Sequence, residues 1–312
     1  MPKLTAGSAP HAEPSVKVSP KGSARLKAGH PWVYRSDVTA PDDVLPGGLV
    51  RVTDLRGKFL GTALYSSSSQ IAIRMISHEP VADLPALIAE RIRAAVAYRK
   101  KFVTNTDAYR VVFSEGDFLP GLIVDRYHDV LSVQILTQAM DTEAVRGAMV
   151  ETLVEELKPA GIYERVDARI RELEQLPARA SGLVWGQKSS TVVSMNGVRF
   201  HHDGREGQKT GSFLDQRENY AAAARYAHGE ALDVFCYQGG FALHMAAKCS
   251  SVTGVDSVTV GLTVIAPLLV AKVAVSPAPN GAPLSQLLLV SQAPFPFNVH
   301  CESVVVPNVP VR

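Results

Sequence analysis

Apolar and polar positions change their spacing several times along this 312-residue chain, and each change predicts an element. Between Val16 and about Ser77 the apolar runs are short: Leu49 to Val52, Phe59 to Leu64, then Ile71, Ile73 and Met75 alternating with Ala72 and Arg74. That period of two, with turn signals at Pro46-Gly47-Gly48 and Arg56-Gly57, predicts a small β domain. From Asp83 to Phe102 the period lengthens. Leu84, Ile88, Ile92 and Val96 fall on one face of a helix, and Arg91, Arg93, Arg99, Lys100 and Lys101 lie on or near the others, which reads as a solvated side.

Tyr109–Phe113, Gly121–Asp125 and Val130–Leu136 read as strands, with a polar turn, Ser114–Pro120, between the first two. Glu115 and Asp117 read as turn residues rather than as a catalytic pair. Asp141 or Thr142 caps a predicted helix running to about Leu157, and Pro159-Ala160-Gly161 ends it. Ile162–Arg165 suggests another strand and Asp167–Leu176 a short helix. Asn196-Gly197, between Thr191–Met195 and Val198–His202, is a hairpin signal, because two residues with positive φ match the twist of paired strands.

The most informative pattern is Ala231 to Asp256, ALDVFCYQGGFALHMAAKCSSVTGVD. An apolar run to Phe235 reads as a buried parallel strand, Cys236–Gly240 as a glycine turn, Phe241–Lys248 as a helix and Ser251–Val255 as a second strand ending on an acid. This is the first half of a nucleotide-binding βαβ unit. A dinucleotide site would carry G-x-G-x-x-G for the pyrophosphate, and this turn offers only Gly239 and Gly240. It adds a carboxylate on each strand, Asp233 and Asp256. Two acids without a phosphate loop suit a cationic, phosphate-free nucleoside, and S-adenosylmethionine answers that description. A nicotinamide-dependent oxidoreductase is a weaker reading, for want of the phosphate loop.

Charge changes the picture little. A net charge of +2 gives no global basic field, so any nucleic-acid contact must be local. Arg25, Lys27, Trp32 and Arg35 form such a cluster in RLKAGHPWVYRSDV, since bases stack on aromatics and phosphates pair with Arg and Lys; Trp32 reads equally well as a barrel core residue. Cys236, Cys249 and Cys301 make no disulfide framework, which fits a reducing cytosol. His201, His202 and Asp203 do not make a metal site, because adjacent strand residues point to opposite faces. The first fifteen residues read as a disordered tail with no apolar signal core. The apolar run Val258–Ala271 is shorter than the ~20 residues of a membrane span and holds Pro267.

DVFCYQGGFALHMA closely resembles the first motif of a family of S-adenosylmethionine-dependent methyltransferases that modify carbon five of cytosine in large-subunit ribosomal RNA. GQKTGSFLDQREN, Gly207 to Asn219, resembles the segment preceding that motif. The similarity runs from about Val16 to Asp256. It implies an α/β multidomain chain: a tail over 1–15, an N-terminal PUA β barrel that binds RNA over 16–80, an αβ middle domain over 81–190 that helps form the RNA cleft, and the start of an incomplete Rossmann-like methyltransferase domain over 191–256. It implies S-adenosylmethionine as cofactor, ribosomal RNA as partner and a cytoplasmic location, and it leaves a homodimer open. Asp233, Gly239 and Asp256 become the cofactor residues, with Lys209 and Phe213 shaping the pocket beside Asp215 and Arg217. The bland alternative for that segment is a helix start capped by Asp215.

The resemblance stops at Ser257. The family's chemistry needs a Cys thiolate to add to carbon six of the base, so that carbon five can take the methyl group before a base removes its proton. It also needs an acidic-Pro-Pro loop to hold the flipped cytosine. Neither is recognisable in residues 257–312, which hold three charged residues, Lys272, Glu302 and Arg312, and eight of the 20 prolines. Cys301, between His300 and Glu302, is a weak nucleophile candidate in a different context. So sharp a break resembles translation in a shifted frame. The expectation is a methyltransferase without its catalytic half, with only two cofactor-sheet strands and an open edge on the second. The alternative is a non-catalytic RNA-binding protein working through the PUA domain.

Overall fold

In the N-terminal region, alternation places Val16 and Val18 of β1 (Ser15–Val18) in the core. The computed structural model describes residues 14–39, 44–205, 210–256, 260–265 and 270–273. The N-terminal tail, Lys209, Cys301 and most of the stretch after Asp256 lie outside them. Ser19 caps α1 (Pro20–Lys27), its hydroxyl accepting from the Gly22 amide at 3.0 Å, with Pro20 in the first turn, where a missing N–H is harmless. Next come β2 (Trp32–Tyr34), β3 (Val38–Thr39), β4 (Leu49–Thr53), β5 (Phe59–Tyr65) and β6 (Ile71–Ser77). They form one sheet in the order β2-β6-β5-β4-β1-β3. Its two edge strands, β2 and β3, are joined by a single 3-10 turn, Arg35–Asp37, so the sheet has to curl until its ends meet. Val33, Val50, Val52, Ala63 and Ile73 fill the interior.

The middle region is built on α2 (Leu84–Phe102), whose N-cap Asp83 accepts from the Ala86 amide at 2.9 Å. It continues with β7 (Ala108–Phe113), β8 (Leu122–Tyr127), β9 (Val130–Ile135), α3 (Glu143–Leu157), β10 (Gly161–Glu164), α4 (Ala168–Leu173) and β11 (Gly182–Gly186). The sheet order is β11-β10-β9-β8-β7. Only β9 and β10 are parallel, because α3 provides the one crossover. Ile88, Ile92, Leu122, Leu131, Leu153 and Ile162 share the core between the two long helices and the sheet. Strand β11 escaped sequence reading, since Gly182 and Gly186 bracket only Leu183, Val184 and Trp185.

On the charged side of α2, Arg93, Lys100 and Lys101 are exposed as expected, but Arg91 and Arg99 are partly buried and engaged. Arg99 pairs with Asp117, its Nη2 donating to Oδ2 at 2.7 Å, and Arg91 donates to the carbonyls of Ile76 and Phe118. These side chains pin α2 to the 3-10 turn Ser114–Asp117. The barrel docks on the same turn: Trp32 Nε1 donates to Glu115 Oε1 at 3.0 Å. A second contact buries Glu174 with Arg74 and Ser66, and Gln138 donates to the Glu174 carbonyl at 2.7 Å.

The hairpin β12 (Ser190–Met195) and β13 (Val198–Asp203) turns at Asn196 and Gly197, both at positive φ. It packs Val193, Met195 and Phe200 against Ala108 and Tyr127 of the middle sheet and against Leu214 and Leu243 beyond it. The last unit holds α5 (Arg217–Tyr226), β14 (Glu230–Val234), α6 (Gly240–Ala246), β15 (Ser251–Asp256), β16 (Val260–Ile265) and β17 (Val270–Val273). Asp215 sits in a 3-10 turn, Leu214–Gln216, and does not cap α5, whose N-cap is Gln216. β14 and β15 are parallel, as the βαβ pattern requires. The far edge of β15 is not open: β16 pairs with it antiparallel, and β17 with β16. Among the described residues no helix is long and apolar enough to cross a membrane.

Candidate cofactor site and nucleic-acid surface

β14 leaves its sheet through a turn with an unusual backbone. Phe235 (φ 64°) and Tyr237 (φ 48°) are left-handed although neither is glycine, and Gly239 follows at φ 73°. A left-handed L-residue costs about 1–2 kcal/mol, so the surroundings must hold the turn. They do so from three sides. The amides of Phe235 and Cys236 donate to the Val255 carbonyl at 2.6 and 3.1 Å, and Gly239 N donates to Cys236 O at 2.7 Å. From inside, Asp233 Oδ2 accepts from the Ala242 amide at 2.9 Å, so the strand carboxylate satisfies the first turn of α6. The glycine pair divides its work: Gly239 supplies the positive φ, while Gly240 admits Tyr220, whose Cζ lies 2.4 Å from where a Cβ would stand. Burial, with Asp215 and Asp233 nearby, pushes the Tyr220 hydroxyl up to about 12.

The third side is the segment beginning at Thr210. Ser212 Oγ donates to Gln238 Oε1 at 2.7 Å and Tyr237 Oη to the Gly211 carbonyl at 2.9 Å. Phe213 meets the Tyr237 ring edge-on, 5.3 Å between centroids. The segment is in turn anchored on β8. Thr210 Oγ1 donates to Asp125, which also holds Arg110 through two bonds of 2.8 and 3.0 Å. The Ser212 amide donates to Tyr127 Oη at 2.9 Å. Gly211, at φ 138°, lies flat against His202, 2.7 Å from where its Cβ would be. His202 itself stacks on Tyr127 at 3.5 Å, and burial lowers its pKa to about 3. His201 points away, half-exposed, as strand alternation dictates.

Of the cofactor residues expected from sequence, Asp233, Gly239 and Phe213 gather on this one turn. Asp256 ends β15 and pairs through its backbone with Val260; Lys209 and Cys301 lie outside the described residues. Asp125, Tyr127 and Tyr220 escaped sequence reading. The LPGLIVDRY run signals only a strand, and which strand residue will face a segment 85 positions later is set by tertiary packing. Cys236 and Cys249 are buried. Among the described residues no three His, Cys, Asp or Glu side chains converge as a metal site would require.

The four nucleic-acid candidates separate in the barrel. Lys27 is exposed, and the Arg25 guanidinium lies 4.9 Å over the Tyr34 ring. Arg35 is occupied in holding a loop, donating to the carbonyls of Ser66 and Ser69 at 2.7 to 3.1 Å. Trp32 is half-buried and its indole N–H is taken by Glu115.

A curled N-terminal sheet, an αβ sheet and a βαβ unit with a glycine turn follow one another in this chain. Residues 16–78 match the PUA-like domain family. Over 77% of this chain and 62% of that one, the fold is similar to a structure described as a SAM-dependent methyltransferase from Streptococcus mutans, at a TM-score of 0.64 and 24% identity. A second structure, of a methyltransferase complexed with SAH, gives 0.64 and 23% over the same shares. By sequence, the chain is 36% identical over 256 residues to the ribosomal RNA large subunit methyltransferase I of Shewanella amazonensis, covering 79% of this chain and 64% of the relative. The Shewanella denitrificans protein of the same name is 35% identical, with shares of 77% and 62%. The chain therefore spans just under two thirds of the length of the curated relatives it matches.

Proposed function

We propose that this chain carries the RNA-binding front and the first cofactor half of a SAM-dependent methyltransferase directed at carbon five of cytosine in large-subunit ribosomal RNA. We also propose that the chain as it stands transfers no methyl group. The observation that carries the reading is the turn between β14 and α6: strained, glycine-bearing, and clasped by a segment anchored on the middle sheet. Its described surroundings include the carboxylate of Asp233, with Ser212, Gln238 and the aromatic rings of Phe213, Phe235 and Tyr237. Such a set suits an uncharged adenosine and a sulfonium better than a pyrophosphate. S-adenosylmethionine, when bound, supplies an electrophilic methyl group. The chain's residues would orient the nucleoside by the turn's backbone and flank it with Phe213. The loss of transfer rests on the composition break after Asp256 and on the burial of Cys236 and Cys249, which keeps both thiols from attacking a base.

The test incubates the protein with methyl-labelled cofactor and large-subunit RNA, alongside calorimetry with S-adenosylhomocysteine. Weak nucleoside binding with no label on cytosine is the expected result; label on cytosine overturns the inactivity, and binding of a nicotinamide dinucleotide instead overturns the cofactor. Reading the coding DNA around Ser257 in all three frames tests the frame shift: another frame should continue with an acidic-Pro-Pro loop and a serine-flanked Cys. The alternative, a non-catalytic RNA binder, is favoured by the PUA-like match alone. It predicts RNA binding with no response to the nucleoside.

A further inference from the structure

The middle region displays four large aromatic side chains that its own core does not use. Tyr98, Phe102, Phe113 and Phe118 are 58, 64, 55 and 66% exposed. They belong to one surface. Tyr98 and Phe102 lie together on the last turns of α2, 4.7 Å between ring centroids. Arg99 joins that end of the helix to Asp117 and donates to the Arg110 carbonyl, and Phe113 and Phe118 flank the same short turn. Three of the rings carry a guanidinium: Arg99 at 5.4 Å from Tyr98, Arg91 at 5.6 Å from Phe118 and Arg110 at 5.5 Å from Phe113.

The backbone gives a second reason to read this surface as functional. Phe118 is left-handed, at φ 56°, and so is Ser114 at φ 44°. A phenylalanine held in that conformation is strained, and an exposed ring returns no burial to offset it. Glycine would fit the position without strain. Arg91 is held there by two carbonyl oxygens, neutral acceptors that leave its charge in place, and Lys100 and Lys101 are exposed at the end of the helix. Exposed rings beside cations are the chemistry of single-stranded nucleic acid: bases stack on the faces, and since Asp117 and Asp125 hold Arg99 and Arg110, Arg91 and the exposed lysines are the ones to meet phosphates.

We infer that Phe113 and Phe118, with Tyr98 and Phe102, form a platform on which unpaired RNA bases stack, separate from the barrel's own basic cluster. This rests on the RNA-binding part of the function proposed above. The platform selects for single strands, because a base inside a duplex has both faces stacked on its neighbours.

The experiment uses the full chain and a short fluorescein-labelled oligocytidylate, read by anisotropy across a salt series, with a duplex RNA in parallel. Phe113→Ala and Phe118→Gly should each weaken single-strand binding on the order of tenfold. The salt slope should not change, since no cation is removed, and duplex binding should hold. Phe118→Gly should melt at or above the wild-type temperature, a gain that a merely structural phenylalanine would not show. If both variants bind like wild type while Lys27→Ala weakens binding, the platform is wrong and the RNA reading stands. If wild type binds no RNA, both fall. If Phe118→Gly abolishes self-association in sedimentation and leaves RNA affinity intact, the surface is an interface between copies of the chain, and the inference is overturned.

Discussion

The middle sheet and the β14–β15 sheet both carry apolar strand residues, yet among the described residues only the first is enclosed. Ile88, Ile92, Leu131, Leu153 and Ile162 are fully buried between α2, α3 and the strands. In the last unit α5 and α6 accompany the sheet, and Leu232 and Val234 on β14 remain 63 and 52% exposed, with Val255 beside them. Parallel strands are ordinarily covered on both faces. Apolar strand sequence therefore does not by itself make a core; a covering layer does, and the two regions should differ in stability accordingly.

The sharpest way to break that comparison is a pair of truncations. Leu153→Ala should cost about 2–5 kcal/mol in a denaturant titration, because it leaves a cavity between α3 and the sheet. Leu232→Ser should stay within about 0.5 kcal/mol. Equal losses at the two sites would refute the contrast.

Next in size is Asp125→Ala. It strips Arg110 of its buried partner and Thr210 of its acceptor, at about 2–3 kcal/mol, since Arg110 itself is part-exposed. Amide exchange at Ser212 should accelerate more than exchange within β8. Unchanged protection at Ser212 would show that β8 does not anchor the segment.

Gly240→Ala should follow, at about 1–3 kcal/mol, because the added methyl meets the Tyr220 ring. Shortening the obstacle in the double variant Gly240→Ala/Tyr220→Leu should recover part of that loss, and a failure to recover would place the strain elsewhere.

The pH response comes from His202. Its pKa is lowered from 6.5 to about 3 by burial, so the neutral form is the folded one. Its contribution is fully present above pH 6.5 and declines as the pH falls toward 3, since the unfolded chain takes up the proton first. His202→Phe keeps the stack on Tyr127 and removes a ring nitrogen, Nε2, that has no hydrogen-bond partner among the described residues. Its melting temperature should therefore fall less steeply between pH 7 and pH 4 than that of wild type. Parallel slopes for the two proteins would exclude His202 as the cause.

Much of this architecture was legible in local signals. The period of Leu84, Ile88, Ile92 and Val96 set α2 and its buried face; Asn196-Gly197 set the hairpin; and the Ala231–Asp256 pattern set strand, turn, helix and strand with the strands parallel. These depend on φ preference and side-chain spacing, which neighbours in sequence decide. The turn between β14 and α6 was legible as a turn, with Gly239 in it at positive φ and Asp233 on the strand before it.

The sequence by itself could not assign partners across the chain. Arg99 reads as a solvated cation until folding brings Asp117 to it, and Trp32 reads as core or RNA contact until Glu115 takes its indole N–H. Gly240 reads as half of the turn's glycine pair until Tyr220 occupies its missing side chain. Asp125 looks like a strand end until Thr210 meets it. Local sequence determined which elements form, because helix and strand periodicity are properties of a few consecutive residues. Only the tertiary structure decided which polar groups are satisfied within the protein and which aromatic rings remain in solvent, because both depend on distances between residues far apart in the chain.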